Sequence, residues 1–193
     1  ADNNFRPVWN QFNNVEIPEV EWEWTSDEAS RVVGGKILKE YGLSNKFIIG
    51  GSADLAASTK QIISDNTFGS NNYDGNSIEF GIREHAMGGI VNGLALHSKL
   101  IPYGSTFLVF SDYMRPSMRL ASLMKVNSLF IFTHDSIYLG EDGPTHQPVE
   151  HLMSLRLIPN LDVIRPANNK ELIHSYRFAL EKRDNPKVIV LSR

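Results

Sequence analysis

Cysteine is absent from the 193 residues, which excludes disulfides and thiolate metal sites. A reducing, cytoplasmic compartment is the expected setting. No apolar run is long enough to span a bilayer, and no signal-peptide pattern opens the chain. A membrane partner is therefore not expected. Charge of one sign is also lacking: 19 Lys and Arg stand against 22 Asp and Glu, for a net charge of −3. That balance argues against a nucleic-acid partner. Gly-rich phosphate cradles are missing too, with no GxGxxG and no Walker pattern. The Gly50-Gly-Ser-Ala-Asp54 stretch lacks the Lys and the helix-opening context that such a cradle needs. No internal repeat and no second domain are visible.

What is present suits one ordinary domain with its own core: 41% apolar and 21% charged residues. The chain opens without Met on Ala1 and ends on Ser192-Arg193 just after an apolar run. It is expected to be an excerpt of a longer protein. Residues 1–24 hold all three Trp (Trp9, Trp22, Trp24) with poor periodicity. They read as a linker whose indoles pack on something, and residues 25–193 read as the domain. Thr25-Ser-Asp-Glu28 offers a capping box, in which a hydroxyl and a Glu satisfy orphan N–H groups at a helix start. A helix of about four turns carrying Arg31 follows and ends near Gly42. Strands are then expected over 46–50, 77–80, 100–103, 128–133, 161–164 and 188–191. Helices are expected from Glu84 to His97 and over 106–123, 149–156 and 168–181. The apolar run Ser128–Thr133 has the pattern of a strand covered on both faces. Alternating strands and helices predict an α/β fold, an open parallel sheet with helices on both faces. Ligands of such sheets bind beyond the carboxyl ends of the strands. The residues that carry chemistry fall there: Ser52 to Asp54, Glu84, His134 to His146, and Arg193.

Phe80 to His97 is the stretch around which the rest is organised. Glu84 opens a helix that is otherwise small and apolar, and Met87, Ile90, Val91, Leu94 and Ala95 share one face at helical spacing. Gly88, Gly89 and Gly93 each cost the helix roughly 1 kcal/mol against Ala, which makes sense if another backbone approaches closely. Partial desolvation of the Glu84 carboxylate favours its protonated form, while the helix N-terminus favours the anion. Taken alone, Glu84 also reads as a first-turn acid answering the helix dipole.

The loop Thr133–Pro148 combines two His, three acids and two Gly within sixteen residues. His134 and His146 match no zinc spacing, so a metal site is not expected there. Two readings stand level: a turn-rich structural loop, or imidazoles and a carboxylate arranged for proton transfer and hydrogen bonding to a polyhydroxylated substrate. Phe107, Phe110 and Tyr113, spaced three apart at a strand-to-helix junction, read either as core or as a ligand platform. Arg31 and Arg193 are isolated basic groups.

Taken together, four motifs resemble the transketolase family: Gly50-Gly-Ser-Ala-Asp-Leu55, Gly81-Ile-Arg-Glu-His-Ala-Met-Gly88, Pro102-Tyr-Gly-Ser-Thr-Phe107, and Thr133-His-Asp-Ser-Ile137 with Gly140-Glu-Asp-Gly-Pro-Thr-His-Gln-Pro148. The resemblance runs from about Thr25 to Arg193 and covers the family's middle, pyrimidine-binding domain. It implies ketol transfer between sugar phosphates, a ketose donor and an aldose acceptor, in the pentose phosphate pathway. It implies thiamine diphosphate as cofactor, with a divalent metal (Mg or Ca) held by a separate N-terminal domain through a GDG motif that this chain lacks. It implies a homodimer in which each active site forms between two subunits. By the same resemblance Glu84 hydrogen-bonds the cofactor's aminopyrimidine and promotes its imino form. Phe107, Phe110 and Tyr113 form the pocket around that ring, and Asp54 lies on the cofactor side. His134, Asp142 and His146 bind the sugar hydroxyls and carbonyl and assist proton transfers. Arg31, Ser58 and Arg193 hold the substrate phosphate. Two positions depart from the family pattern: Tyr138 stands where Gly is frequent, and Ala57 where Pro is. The isolated fragment is expected to be inactive and to bind cofactor weakly. Competing readings are a related thiamine-dependent synthase, a ketoacid dehydrogenase beta subunit, or a non-catalytic module that kept the fold.

Overall fold

The structure, a computed structural model, describes residues 5–13, 16–19 and 28–193. Helices α1 (Phe5–Asn13) and α2 (Ser30–Ser44) precede β1 (Ile48–Ser52), the single turn α3 (Ala56–Thr59), β2 (Ser77–Glu79) and α4 (Glu84–His97). Then come β3 (Ile101–Phe107), a 3-10 turn (Leu108–Phe110), α5 (Ser111–Met124), β4 (Leu129–Thr133), α6 (His151–Arg156), β5 (Asp162–Ile164), α7 (Asn169–Glu181) and β6 (Lys187–Val190). The six strands form one sheet in the order β2-β1-β3-β4-β6-β5, and every pairing is parallel.

Burial on both faces explains the unbroken apolar strands. In β4, Leu129 and Ile131 join the layer under α2 and α7, while Phe130 and Phe132 join the layer under α4, α5 and α6. The alternation is the period-two geometry of a strand. β1 is pressed between two neighbours: a Cβ on Gly50 would lie 2.0 Å from the Tyr103 carbonyl oxygen, and one on Gly51 2.0 Å from that of Ile78. Glycine is required at both positions by the closeness of the flanking backbones.

Several helix ends differ from the sequence pattern. Thr25 to Asp27 lie outside the described residues, and α2 starts at Ser30 behind extended Ala29, with no side-chain cap. Glu28 instead pairs with Lys36. Helix α7 has the better signal: Asn168 Oδ1 accepts from the Glu171 amide, and Glu171 Oε2 accepts from the Ala167 amide. The segment expected to be helical from Thr106 is still strand at Phe107, because β3 keeps pairing with β4 through that residue. Within the expected linker, residues 5–13 form α1, none of whose residues is buried. Phe5 stacks on Trp9 and Phe12 packs edge-on against Phe47; Trp22 and Trp24 lie outside the described residues. Among those residues no helix is long and apolar enough to cross a membrane.

After β2 forms on one side of β1, the chain crosses to build β3 on the other. That reversal opens a crevice at the carboxyl ends of β1 and β3, the usual ligand position of such sheets.

Candidate functional site

The crevice at the β1–β3 switch is an open cleft of about 480 Å³ lined by Ala53, Asp54, Leu55, Ile82, Glu84, Phe110, Tyr113 and His146. Glu84 enters it from the first residue of α4 and is half-buried. Its side chain has no hydrogen bond or ion pair with any described residue. Across from it the aromatic residues occupy three different elements. Phe107 ends β3, Phe110 lies in the 3-10 turn, and Tyr113 lies in α5. The Phe107 and Phe110 rings stack at 5.8 Å and 10°, and the Phe110 and Tyr113 rings stand 6.0 Å apart. Phe107 is 5% exposed and Tyr113 62% exposed, so the first is a floor and the last an open lip. Asp54 reaches the cleft from a left-handed backbone, φ 59°.

His134 sits under this aromatic row, its ring centroid 3.7 Å from that of Phe107. Its backbone is also left-handed, φ 60°, which turns the imidazole back over the end of β4. The Arg31 guanidinium donates from Nη1 to His134 Nε2 at 3.2 Å and to the Ser58 carbonyl at 2.9 Å. Arginine is always a donor, so His134 Nε2 accepts and its Nδ1 carries the proton, donated to Thr133 Oγ1 at 2.8 Å. Burial first, then Arg31 and Arg193, push the His134 pKa down to about 4, against a smaller opposing pull from Asp142. His134 is therefore neutral near pH 7. Burial and the neighbouring Arg193 likewise lower Arg31, with Asp142 opposing.

Arg193 closes the row. It donates to the Leu139 carbonyl and to Asp142 Oδ2, the latter at 3.2 Å. His146, whose Nδ1 lies 2.8 Å from Thr145 Oγ1, stands edge-on to Phe110 at 5.4 Å and to Phe107 at 6.1 Å. The two imidazoles thus connect the cationic group to the Glu84 cleft. Asp54, Glu84, Phe110, Tyr113 and His146 line the cleft, and a row of contacts runs beside it through Phe107, His134, Arg31, Arg193 and Asp142. Ser58 enters through its main-chain carbonyl.

Both departures from the family pattern are exposed side chains. Tyr138 is 89% exposed, and Ala57 is an exposed residue of α3. The one grouping of three potential metal ligands among the described residues is Asp112, Glu150 and His151. It lies outside the Thr133–Pro148 loop, and His151 Nε2 is 3.1 Å from Asp112.

Sequence reasoning missed several contributors. Thr133 and Thr145 each fix the histidine that follows them, and the repeated Thr-His dipeptide was the available signal. Gln61, fully buried, donates to the Arg31 and Thr59 carbonyls and accepts from the Tyr176 hydroxyl. No local pattern marks it. The apolar lining Leu55 and Ile82 flanks motifs already noted.

The comparisons with known proteins agree with this fold. The family model for "Transketolase, pyrimidine binding domain" matches residues 29–193. A transketolase from Halalkalibacterium halodurans is 49% identical over 166 residues, 86% of this chain and 25% of that protein. The crystal structure of transketolase from Campylobacter jejuni superimposes with a TM-score of 0.88 at 39% identity, covering 97% of this chain and 29% of the other. Transketolase from Pichia stipitis in complex with sedoheptulose 7-phosphate gives a TM-score of 0.86 at 37% identity, over 91% of this chain and 27% of that one. The chain spans about a quarter of the length of the curated relatives it matches. With the matched segment reaching from residue 29 to the last residue, the chain belongs to the transketolase pyrimidine-binding domain family.

Proposed function

We propose that this chain supplies the pyrimidine-binding half of a transketolase active site, where a two-carbon ketol unit passes from a ketose phosphate to an aldose phosphate in the cytosol, within the pentose phosphate pathway. The observation that carries the reading is a half-buried Glu84 carboxyl with no partner of its own, facing aromatic rings across a cleft. Such a cleft fits the flat aminopyrimidine of thiamine diphosphate. Phe110 and Tyr113 would pack on the ring, and Glu84 would hydrogen-bond its nitrogen. Bound thiamine diphosphate supplies the carbon nucleophile that takes up and releases the ketol unit. The divalent metal and the diphosphate would be held by a part of the enzyme outside this chain.

The remaining proposed roles rest on the row of contacts beside the cleft. His134 is neutral and buried with its Nε2 already accepting from Arg31, so a sugar hydroxyl would reach it by displacing that donor, and His146 and Asp142 flank it as further hydrogen-bonding groups. Arg31 Nε is buried without an acceptor among the described residues. With Arg193 beside it, an incoming phosphate would find a forked donor set. Sugar phosphates are the proposed substrates on this ground, in keeping with the sedoheptulose 7-phosphate bound by the Pichia stipitis relative.

The cleft is open on the side of Ile82, Ile90 and Tyr113, which are 79%, 47% and 62% exposed. Gly89 and Gly93, on α4, have nothing within 4 Å of a built Cβ. We infer that a second copy covers this side in a homodimer. Isothermal titration of the chain with thiamine diphosphate and magnesium should show no micromolar binding. Activity with xylulose 5-phosphate and ribose 5-phosphate should require the full-length protein. Micromolar binding by this chain alone, or a full-length protein inert toward those sugars, overturns the reading.

A further inference from the structure

Each arginine of the cationic row directly follows a serine: Ser30-Arg31 opens α2, and Ser192-Arg193 follows β6. The serines are 162 positions apart yet bond reciprocally. The Ser192 amide donates to Ser30 Oγ at 2.7 Å, and the Ser30 amide donates to Ser192 Oγ at 3.2 Å. The two hydroxyls are 2.9 Å apart, and the Arg31 amide donates to the Ser192 carbonyl at 3.2 Å.

The position of these bonds gives them their meaning. Leu191 makes the last link to the sheet, from its amide to the Phe132 carbonyl at 2.8 Å. Beyond it, the main chain among the described residues is tied only to Ser30 and Arg31. The Arg31 peptide is gripped on both sides, because Gln61 donates to its carbonyl at 2.9 Å. Two like charges brought together resist the placement; the Ser58 carbonyl and His134 hold the Arg31 guanidinium, the Leu139 carbonyl and Asp142 hold that of Arg193, and the serine bonds fix the backbones from which both side chains start. The alternative occupants of those serine hydroxyls would be water, which restrains nothing.

We propose that Ser30 and Ser192 form a latch that fixes the spacing of the Arg31 and Arg193 guanidinium groups and thereby sets the preference for phosphorylated over non-phosphorylated sugars. This rests on the phosphate-binding reading above. The serines are positioning residues: they touch the arginines' backbone, not the ligand. Either alanine substitution removes two of the four contacts and leaves one amide without its acceptor.

The test is an NMR titration of the 193-residue chain with ribose 5-phosphate, inorganic phosphate and ribose, following the arginine Nε–H signals. Ser30→Ala and Ser192→Ala should each weaken ribose 5-phosphate and phosphate binding about three- to ten-fold, the size of a lost hydrogen-bond pair. Ribose binding should not change, and Ser192→Thr should restore phosphate binding. Should an alanine variant unfold, Ser192→Cys keeps the shape with weaker bonds and carries the same expectation. Wild-type phosphate affinity in Ser192→Ala or Ser192→Cys, while Arg31→Ala binds more weakly, overturns the latch and leaves the anion site standing. Equal affinity for ribose and ribose 5-phosphate in the wild-type chain, unaltered by Arg31→Ala, overturns the anion site and the latch together.

Discussion

The two walls of the site share one sheet edge but differ in how their polar groups are answered. On the Arg31–His134–Arg193 wall, each guanidinium finds a carbonyl, an imidazole or a carboxylate inside the chain. Backbone strain at His134 and burial are tolerated there because neighbouring bonds over-determine the position. On the Glu84–Tyr113 wall, the carboxyl is unpaired among the described residues and the aromatic lip is exposed. The first wall is answered within this chain except at Arg31 Nε, which is buried without an acceptor among the described residues. The second has exposed apolar area and a carboxyl without a partner among the described residues, the character of the half-site proposed above.

The largest effect should come from breaking the second wall. Glu84→Gln in the full-length enzyme should lower kcat by about 10²- to 10⁴-fold, the range for a lost acid–base group. The isolated chain should keep its melting temperature, because the Glu84 side chain bonds to none of the described residues. Steady-state kinetics and thermal unfolding of the same variant check both halves; a stability loss matching the activity loss would sink the contrast.

The first wall should show itself in pH. His134 titrates at about 4 in the folded chain, against an ordinary value near 6.5. The folded state therefore binds fewer protons than the unfolded state between those values. Its stability is fully present above about pH 6.5 and falls as the pH drops toward 4, by on the order of 3 kcal/mol. Denaturant unfolding across that window should show the slope, and His134→Gln should flatten it.

Smaller effects separate the inner and outer faces of α4. A Cβ on Gly88 would lie 2.7 Å from Ser117 Cβ on α5. Gly88→Ala should destabilise the chain by about 1–2 kcal/mol, overpacking outweighing the helix-propensity gain. Gly89 faces open space, so Gly89→Ala should stabilise the isolated chain by about 0.5–1 kcal/mol. In the full-length enzyme the same change should weaken subunit association. Sedimentation at falling concentration measures that second effect, and unaltered association would remove α4 from the proposed interface.

Much of the layout was legible beforehand. β4 announced itself as an unbroken apolar run, and Glu84 as the lone acid opening a glycine-bearing helix. The α7 start was readable because Asn168 and Glu171 form a local cap. The helical start expected at Thr106 failed because pairing with β4 extends β3 by several residues, which no local spacing reveals. Helix α1 was invisible to a search for buried periodicity because it buries nothing. On α4 the apolar stripe predicted one covered face; Met87 and Val91 are fully buried, but Ile90 remains 47% exposed.

The sequence by itself determined the class of fold, the family, and which residue types gather at the carboxyl edge, because periodicity and motif spacing are local properties of the chain. Tertiary structure alone decided that His134 is neutral, that Arg31 and Arg193 stand near each other beside it, and that Ser30 meets Ser192. Those facts depend on desolvation and on distances between segments more than a hundred residues apart, and no stretch of sequence contains either quantity.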